Sequence, residues 1–426
     1  MKNWVWILLV SAAFAKHEEY AGWKSYFVAP TTQEQLEFLG SIRDVLDLDF
    51  LSYATVDRNG LVLVKPEHQE EFISTLNNQG INYRVHAEDV KKQLDNDDEQ
   101  IEARRSSLRS TPEGEMPYDN YQPLDVIYNY IDKVAEQYPD VVTLVTPANS
   151  FEGYPIKYLK ISSSNFEDPT KSVIFIESTI HAREWIAPPT ATYAIHKLVE
   201  NLTDPELLEK FDWIILPVAN PDGYVFSFET SRFWRKTRST EFSTSCPGVD
   251  GNRNFDFFWN TIGTSSNLCA DNYAGGRPFS EVETRVVRDI IHEHLDRMVM
   301  YLSMHSYGSM ILYSWGHDGS LSNQAFSLHS VGISMADAIY ENSLPHFPRY
   351  SVGNSRLVVG YAASGISADY AHAVGVPLSY TYELPGFGGG FVGFHLNPRY
   401  IKQVAEETWE GIAVGAKRAG ALFGNQ

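Results

Sequence analysis

Four stretches of the chain are almost continuously apolar, which is the pattern of strands that are buried on both faces. They cover residues 172–176, 213–218, 298–302 and 376–382, and the chain alternates strands and helices around them. This alternation predicts an α/β domain at residues 110–426, with a mixed, mostly parallel sheet sandwiched by helices. Ligands bind such sheets beyond the carboxyl ends of the strands, so the residues that follow the apolar runs are the first candidates for chemistry.

The section before this domain has a shorter pattern of its own. Strands are predicted at residues 24–28 and 60–64, and helices at 33–46 and 67–77. Strands and helices alternating in so short a span indicate a small α/β open-sandwich domain, which we place at residues 16–92.

A polar, charged connector at residues 93–109 joins the two domains. It contains the acidic run 95–99, followed by Arg104, Arg105 and Arg109. We interpret it as a helix or an exposed linker. A trypsin-like protease would cut exposed basic residues in such a hinge, at Arg105 or Arg109, and the alternative is a solvated linker that is never processed.

The first 15 residues have the pattern of a secretory signal peptide. Lys2 gives a positive start, residues 4–10 are apolar, and Ala13 and Ala15 form a small-x-small cleavage site. No later stretch reaches the ~20 apolar residues that a membrane-spanning helix needs. We therefore expect a secreted, extracellular protein, in which Cys246 and Cys269 pair as a disulfide, the alternative being two buried free thiols.

The net charge of −20 narrows the classes of partner. Nucleic-acid binding needs basic patches that neutralise phosphates, so we expect no nucleic-acid partner. The acidic balance gives no support to an anionic membrane surface as a partner either, and we expect no membrane partner.

Titratable residues follow the apolar runs. His181 and Glu184 come after the first run, His305 ends the third, and Glu383 ends the fourth. A catalytic zinc site has three protein ligands, drawn from nitrogen, sulfur and carboxylate donors. We predict that one zinc ion is held by His181, Glu184 and His305.

The spacing of His181 and Glu184 is weak evidence by itself. His68 and Glu71 have the same spacing in the first domain, where we interpret them as a solvated helix face. We interpret His292 and His294, in a predicted amphipathic helix, as surface residues. The position after a buried strand is what distinguishes the predicted ligands.

Six ordered motifs give the second domain a family resemblance. It resembles the metallocarboxypeptidases of the pancreatic A/B type, and the whole chain resembles their precursor. A ligand set of two histidines and one glutamate is the one known for carboxypeptidase A. The resemblance implies a zymogen whose first domain is an inhibitory propeptide, released by a trypsin-like protease. The motifs are 181–185 (HAREW), 233–238 (FWRKTR), 248–254 (GVDGNRN), 305–307 (HSY), 361–369 (YAASGISAD) and 381–384 (TYEL).

The resemblance also implies residue roles. Glu383 would be the general base that takes a proton from the attacking water, and Arg235 would stabilise the oxyanion on the scissile carbonyl. Asp250 would orient the ring of His181. The residues implied to bind the substrate's terminal carboxylate or the residues just upstream are Arg183, Asn252, Arg253, Ser306, Tyr307 and Tyr361.

By the same resemblance, Ala368 sets the bottom of the specificity pocket, with Gly316, Ile366 and Thr381 around it. This set is uncharged, so we predict a preference for aliphatic or aromatic C-terminal residues. Ile366 stands where glycine is common, which would favour medium aliphatic residues. Arg356 maps near the wall and leaves open an acidic preference if its side chain points inward.

The sequence argues against two other classes of function. A non-catalytic homologue that only binds C-terminal peptides should lack a ligand, the base or the oxyanion arginine, and none is missing. A serine hydrolase would need Ser306 activated by His305, but adjacent strand residues point to opposite faces. We therefore expect a secreted zinc exopeptidase that hydrolyses C-terminal peptide bonds of peptides and proteins, with digestion in a gut lumen as its expected setting.

Overall fold

The structure is a computed structural model that describes residues 16–43, 45–52, 54–56, 58–107, 114–386 and 393–424. The predicted signal peptide at residues 1–15 and the candidate cleavage site Arg109 lie outside the described residues. Within the described ranges, no helix is long and apolar enough to cross a membrane.

The first domain is the predicted α/β open sandwich, with two helices on one face of an antiparallel sheet that has four strands instead of the two predicted ones. Val62 and Val64 pack towards the helices, whereas Leu61 and Leu63 face the second domain. The first helix ends at Ile42 rather than at residue 46. Its elements are β1 (Lys24–Ala29), α1 (Gln33–Ile42), β2 (Asp49–Ser52), β3 (Gly60–Val64), α2 (Gln69–Asn78) and β4 (Asn82–Ala87), in the sheet order β2-β3-β1-β4, with short 3-10 helices at Glu18–Tyr20 and Pro66–His68.

The connector is a helix, α3, which spans Val90–Ser107. One face of α3 is buried, at Val90, Leu94, Asp97 and Ile101, and the spacing of these residues is that of one helical stripe. Asp97 is the one acidic residue in this otherwise apolar stripe. A carboxylate inside a protein needs a hydrogen-bonding or charged partner.

The second domain has an eight-stranded mixed sheet with the order β11-β10-β12-β9-β7-β8-β6-β5. Four of its seven strand pairs are parallel, which confirms the predicted mostly parallel sheet. Its strands are β5 (Val142–Asn149), β6 (Pro155–Ile161), β7 (Ser172–Ser178), β8 (Phe211–Leu216), β9 (Met298–Ser306), β10 (Met310–Tyr313), β11 (Ser351–Asn354) and β12 (Leu378–Leu384). Its helices are α4 (Leu124–Gln137), α5 (Ala187–Val199), α6 (Glu206–Glu209), α7 (Pro221–Glu229), α8 (Val282–Glu293), α9 (Ala325–Asn342), α10 (Ser355–Val359), α11 (Ser367–Val374) and α12 (Ile401–Phe423), with 3-10 turns at Gly251–Arg253 and Pro398–Tyr400.

Helices cover both faces of this sheet, so its central strands carry apolar side chains on both faces. Along β7, Ile174 and Ile176 pack with α4, α5, α9 and α12, whereas Val173 and Phe175 pack on the other face with α8 and α11. Strands β7, β9 and β12 run parallel as neighbours, and their carboxyl ends meet at one edge. This edge is where the predicted ligands converge.

Candidate active site

The sheet positions the candidate ligands directly. His305 is the last residue but one of β9 and is paired in register with Glu383 of β12. His181 and Glu184 lie in the loop that follows β7, the strand on the other side of β9. All three predicted metal ligands are buried.

The donor atoms of His181, Glu184 and His305 converge on one point. Nδ1 of His181 lies 2.8 Å from Oε1 of Glu184 and 3.0 Å from Nδ1 of His305, which is itself 3.0 Å from Oε2 of Glu184. All three ligand atoms lie within 4.8 Å of one another. Two imidazole nitrogens that face each other beside a carboxylate fit a shared cation of the zinc type.

The opposite nitrogen of His181 is held by Asp250. His181 Nε2 lies 3.1 Å from Asp250 Oδ1, and Arg235 Nε donates to Asp250 Oδ2 at 3.0 Å. Although burial opposes its ionisation, Arg235 and His181 hold the pKa of Asp250 well below its usual range. An ionised Asp250 accepts the Nε2–H hydrogen bond and so keeps the Nδ1 lone pair directed at the metal position.

His305 is oriented by two residues that the sequence analysis did not select, Ser303 and Glu177. Ser303 Oγ lies 2.8 Å from His305 Nε2 and donates to Glu177 Oε2 at 2.6 Å, and Tyr301 also donates to that oxygen, at 3.0 Å. Because the hydroxyl hydrogen of Ser303 goes to Glu177, His305 must donate through Nε2. The signal in the sequence is the position of Glu177, a glutamate that directly follows the apolar run 172–176 within a predicted buried strand.

Glu383 lies at the wall of a cavity of about 370 Å³ that includes the metal ligands. Burial raises its pKa to about 7, and the charge of Glu184 contributes to the shift. Within the described part of the chain its carboxylate takes no hydrogen bond, so it is available to exchange a proton with a molecule in the cavity. The predicted substrate-binding residues Arg183, Asn252, Arg253, Ser306, Tyr307 and Tyr361 all line the same cavity, as does Arg235.

The predicted specificity residues are divided between the cavity wall and the core. Ile366 and Thr381 line the cavity, together with Leu312 and Ala363. Ala368 does not, because it packs in the core between the sheet and α11. A Cβ added at Gly316 would come within 2.4 Å of Cδ1 of Ile366, so the isoleucine lies against this glycine.

Arg356 does not point into the cavity. Its Nη1 donates to the backbone oxygen of Asp318 at 2.6 Å on the exposed surface. The condition for an acidic preference, an inward Arg356, is therefore not met.

The first domain covers the cavity. Arg183, which is 3% exposed, contacts Asp271 of the second domain at 3.0 Å and Asp49 of the first domain at 3.5 Å. Arg58 of the first domain donates to the backbone oxygen of Val359 at 3.2 Å. The first-domain residues that line the cavity are Phe27, Arg43, Phe50, Leu51, Ser52, Arg58 and Asn59.

The structure also shows where the two cysteines and the histidines outside the metal cluster lie. Cys246 and Cys269 form the predicted disulfide. His68 and Glu71 belong to no metal-binding cluster among the described residues. His294 is only 6% exposed, so its interpretation as a surface residue was wrong; it packs beside the ring of Phe166.

The hydroxyl of Ser306 is buried and has no hydrogen-bond partner among the described residues, so no base activates it. This geometry excludes the serine hydrolase alternative. Three converging metal donors beside an available carboxylate define instead a metal-dependent hydrolase.

The chain belongs to the zinc carboxypeptidase family, whose model matches residues 127–411, and a carboxypeptidase activation peptide matches residues 26–97. Carboxypeptidase B of Helicoverpa zea is 60% identical over 427 residues, which cover 99% of this chain and 100% of the relative. The crystal structure of carboxypeptidase A from Helicoverpa armigera has a TM-score of 0.92 at 43% identity, covering 96% of this chain and 100% of that one. Thrombin-activatable fibrinolysis inhibitor has a TM-score of 0.79 at 28% identity, covering 94% and 99%. The first domain is thus a propeptide, and the metal of the enzyme is zinc.

Proposed function

We propose that this zinc carboxypeptidase is secreted as a digestive zymogen and removes aliphatic C-terminal residues in preference to charged ones. The observation that carries the preference is the uncharged wall formed beside the metal cluster by Leu312, Ala363, Ile366 and Thr381. A wall without charge discriminates by burial of apolar area, at about 25 cal/mol per Å². Because Ile366 lies over Gly316, the pocket is shallow and favours medium-sized side chains over large aromatic ones.

The reaction uses the residues that surround the metal ligands. His181, Glu184 and His305 would hold the zinc ion, which would lower the pKa of a bound water to about 7 and polarise the scissile carbonyl. Glu383 accepts the proton of the attacking water and passes it to the leaving amine, a role open to a carboxylate in the cavity wall that takes no hydrogen bond within the described part of the chain. Arg235 donates hydrogen bonds to the oxygen on which negative charge develops.

The terminal carboxylate of the substrate is bound by Arg253, with Asn252 and Tyr361 beside it. A guanidinium and a carboxylate form two parallel hydrogen bonds, which fixes the chain end and limits cleavage to one residue at a time. Arg183, Ser306 and Tyr307 contact the residues upstream of the scissile bond. Removal of the propeptide by a trypsin-like protease opens this part of the cavity.

The relatives carry both A and B designations, so their names do not choose a terminal residue. The test is hydrolysis of matched peptides that end in Leu, Phe, Lys or Glu by the trypsin-activated protein, with and without a zinc chelator. We expect Leu to be removed fastest and the chelator to abolish all turnover. Fastest removal of Lys or Glu would contradict the proposed preference, and full activity with the chelator would contradict the mechanism.

A further inference from the structure

A second buried arginine, Arg232, lies outside the cavity lining and is 0% exposed. Its guanidinium is 3.6 Å from the centre of the Trp185 ring. It donates to the backbone oxygens of Arg183, at 2.8 Å, and Phe394, at 2.7 Å. Because Arg183 and Phe394 both line the cavity, Arg232 joins two segments of the cavity wall from behind.

A third hydrogen bond of Arg232 leads out of the catalytic domain. Nε of Arg232 donates to His395 Nε2 at 2.5 Å, and His395 Nδ1 lies 2.7 Å from Oδ2 of Asp97. Since Nε2 of the imidazole accepts, Nδ1 carries the hydrogen and donates to the carboxylate. His395 and Asp97 are each 4% exposed. A neutral imidazole therefore connects a buried guanidinium of the catalytic domain to a buried carboxylate of helix α3.

The protonation states agree with this geometry. Burial and the charge of Arg232 lower the pKa of His395 to about 4, so the imidazole is neutral at physiological pH. Burial lowers the pKa of Arg232 to about 10, so its charge persists there.

Two carboxylates that act on the charge of Arg232 belong to the propeptide. They are Asp98 and Asp97 of α3, and Asp97 reaches Arg232 through His395. Asp98 is itself paired with Lys16 at 2.7 Å and His17 at 2.9 Å. Among the described residues of either domain, no carboxylate lies within ion-pair distance of Arg232. A buried arginine without an anion is costly, so departure of α3 leaves a position that favours a carboxylate.

We propose that Arg232 and His395, with Trp185 beneath them, form a carboxylate-binding site on the catalytic domain, separate from the active-site cavity, and that its ligand is Asp97 of the propeptide. This contact lies before the candidate cleavage sites Arg105 and Arg109, so it does not depend on the peptide bonds that a protease would cut. The site therefore retains the propeptide on the enzyme after the connector has been cut, and activation requires Asp97 to leave it.

The test uses the full-length zymogen, cut in the connector by limited trypsin treatment and followed by gel filtration over time. Asp97→Ala removes the ligand, and Asp97→Asn keeps an acceptor for His395 but removes the charge. Asp95→Asn is the matched control, because Asp95 lies on the exposed face of the same helix and pairs with Lys91. Hydrogen bonds to charged groups contribute about 1.5–3 kcal/mol, so we expect propeptide release to be roughly 10- to 100-fold faster in both Asp97 variants.

Unchanged release in Asp97→Ala, within twofold of Asp95→Asn, would overturn the proposal. Wild-type release in Asp97→Asn together with fast release in Asp97→Ala would overturn the assignment of the site to a charged carboxylate. The mature enzymes obtained from all these zymogens are chemically identical, because Asp97 leaves with the propeptide. Equal activity of the purified mature enzymes shows that each variant folded, and release is read from elution, independently of substrate preference.

Discussion

The metal cluster and the boundary between the domains both contain buried charged groups, but they take their partners from different places. At the cluster, His181 is oriented by Asp250, and every such partner belongs to the catalytic domain. At the boundary, Arg183 contacts Asp49 and the Arg232 site contacts Asp97, both from the propeptide side. The catalytic geometry is therefore complete before activation, and latency depends on contacts across the boundary. Changes at the first region should alter chemistry without altering release, and changes at the second should do the reverse.

The strongest test of this separation is Glu383→Gln. The amide cannot accept a proton, so kcat of the mature enzyme should fall by about 100- to 10,000-fold. Release of the cut propeptide should stay at the wild-type rate, because no described residue of the propeptide forms a hydrogen bond or ion pair with Glu383. Steady-state hydrolysis of a Leu-terminated peptide and gel filtration of the cut zymogen measure the two quantities. A variant with wild-type kcat would remove Glu383 as the base, and one with altered release would remove the separation.

Glu177→Gln tests whether zinc binding by His181, Glu184 and His305 depends on the residues that orient His305. Loss of the carboxylate that orders Ser303 leaves the tautomer of His305 unspecified, and zinc affinity should fall by about 10- to 100-fold. Competition with a chromogenic chelator measures this affinity without any substrate. Glu283→Gln is the control, since Glu283 is a buried glutamate whose pKa burial raises to about 8, so it is already neutral at pH 7. Equal zinc affinity in the two variants would show that Glu177 has no such role.

The two regions also differ in how far the sequence predicts them. His181, Glu184, His305 and Glu383 follow strands that are recognisable by their apolar runs, and parallel strands bring their ends together. The pairing of Asp97 with His395 joins positions 298 residues apart, on a helix and a loop that no periodicity relates. Such a contact depends on how two domains pack, which short-range patterns do not encode.

The specificity pocket is predicted less well than the metal cluster and better than the boundary between the domains. Motif positions identify residues of this region, but whether Ala368 forms the pocket floor depends on how the side chains around it pack. The structure places Ala368 in the core, with Ile366 in the cavity wall. Side-chain direction at a loop-to-helix junction is set by packing against Gly316, and a linear motif does not contain that information.

Ile366→Gly tests whether Ile366 limits the depth of the specificity pocket without affecting the boundary between the domains. It deepens the pocket, so the ratio of kcat/KM for Phe-terminated over Leu-terminated peptides should rise about tenfold, the effect of roughly one methylene in a hydrophobic pocket. Propeptide release should be unaffected. Arg356→Ala is the control, because Arg356 is directed to the surface and its loss should leave all four terminal preferences unchanged. A gain for Lys over Glu in that control would show that Arg356 reaches the pocket in solution.

The smallest expected effect is the pH dependence of propeptide release. It distinguishes the contact of Asp49 with Arg183 from the contact of Asp97 at the Arg232 site. Burial beside Asp271 raises the pKa of Asp49 to about 7 in the zymogen, although Arg183 and Arg43 oppose the shift. In the released propeptide an aspartate titrates near its ordinary value of about 3.9. The bound state thus holds a proton more tightly, so this contribution to propeptide binding is complete below about pH 4 and is lost as the pH rises through 7.

Because 20% of the Asp49 side chain is exposed, solvent screens part of its charge, and we expect propeptide release to accelerate only about two- to fivefold between pH 5 and pH 8. Zymogen cut at pH 7 and transferred to each pH, followed by gel filtration, measures the rate. Asp49→Asn cannot ionise and should give a flat profile, whereas Asp97→Ala should release faster at every pH and keep the wild-type slope. If Asp49→Asn kept the slope, or Asp97→Ala lost it, the Arg183 and Arg232 contacts would not act independently, and the boundary would behave as one coupled interface.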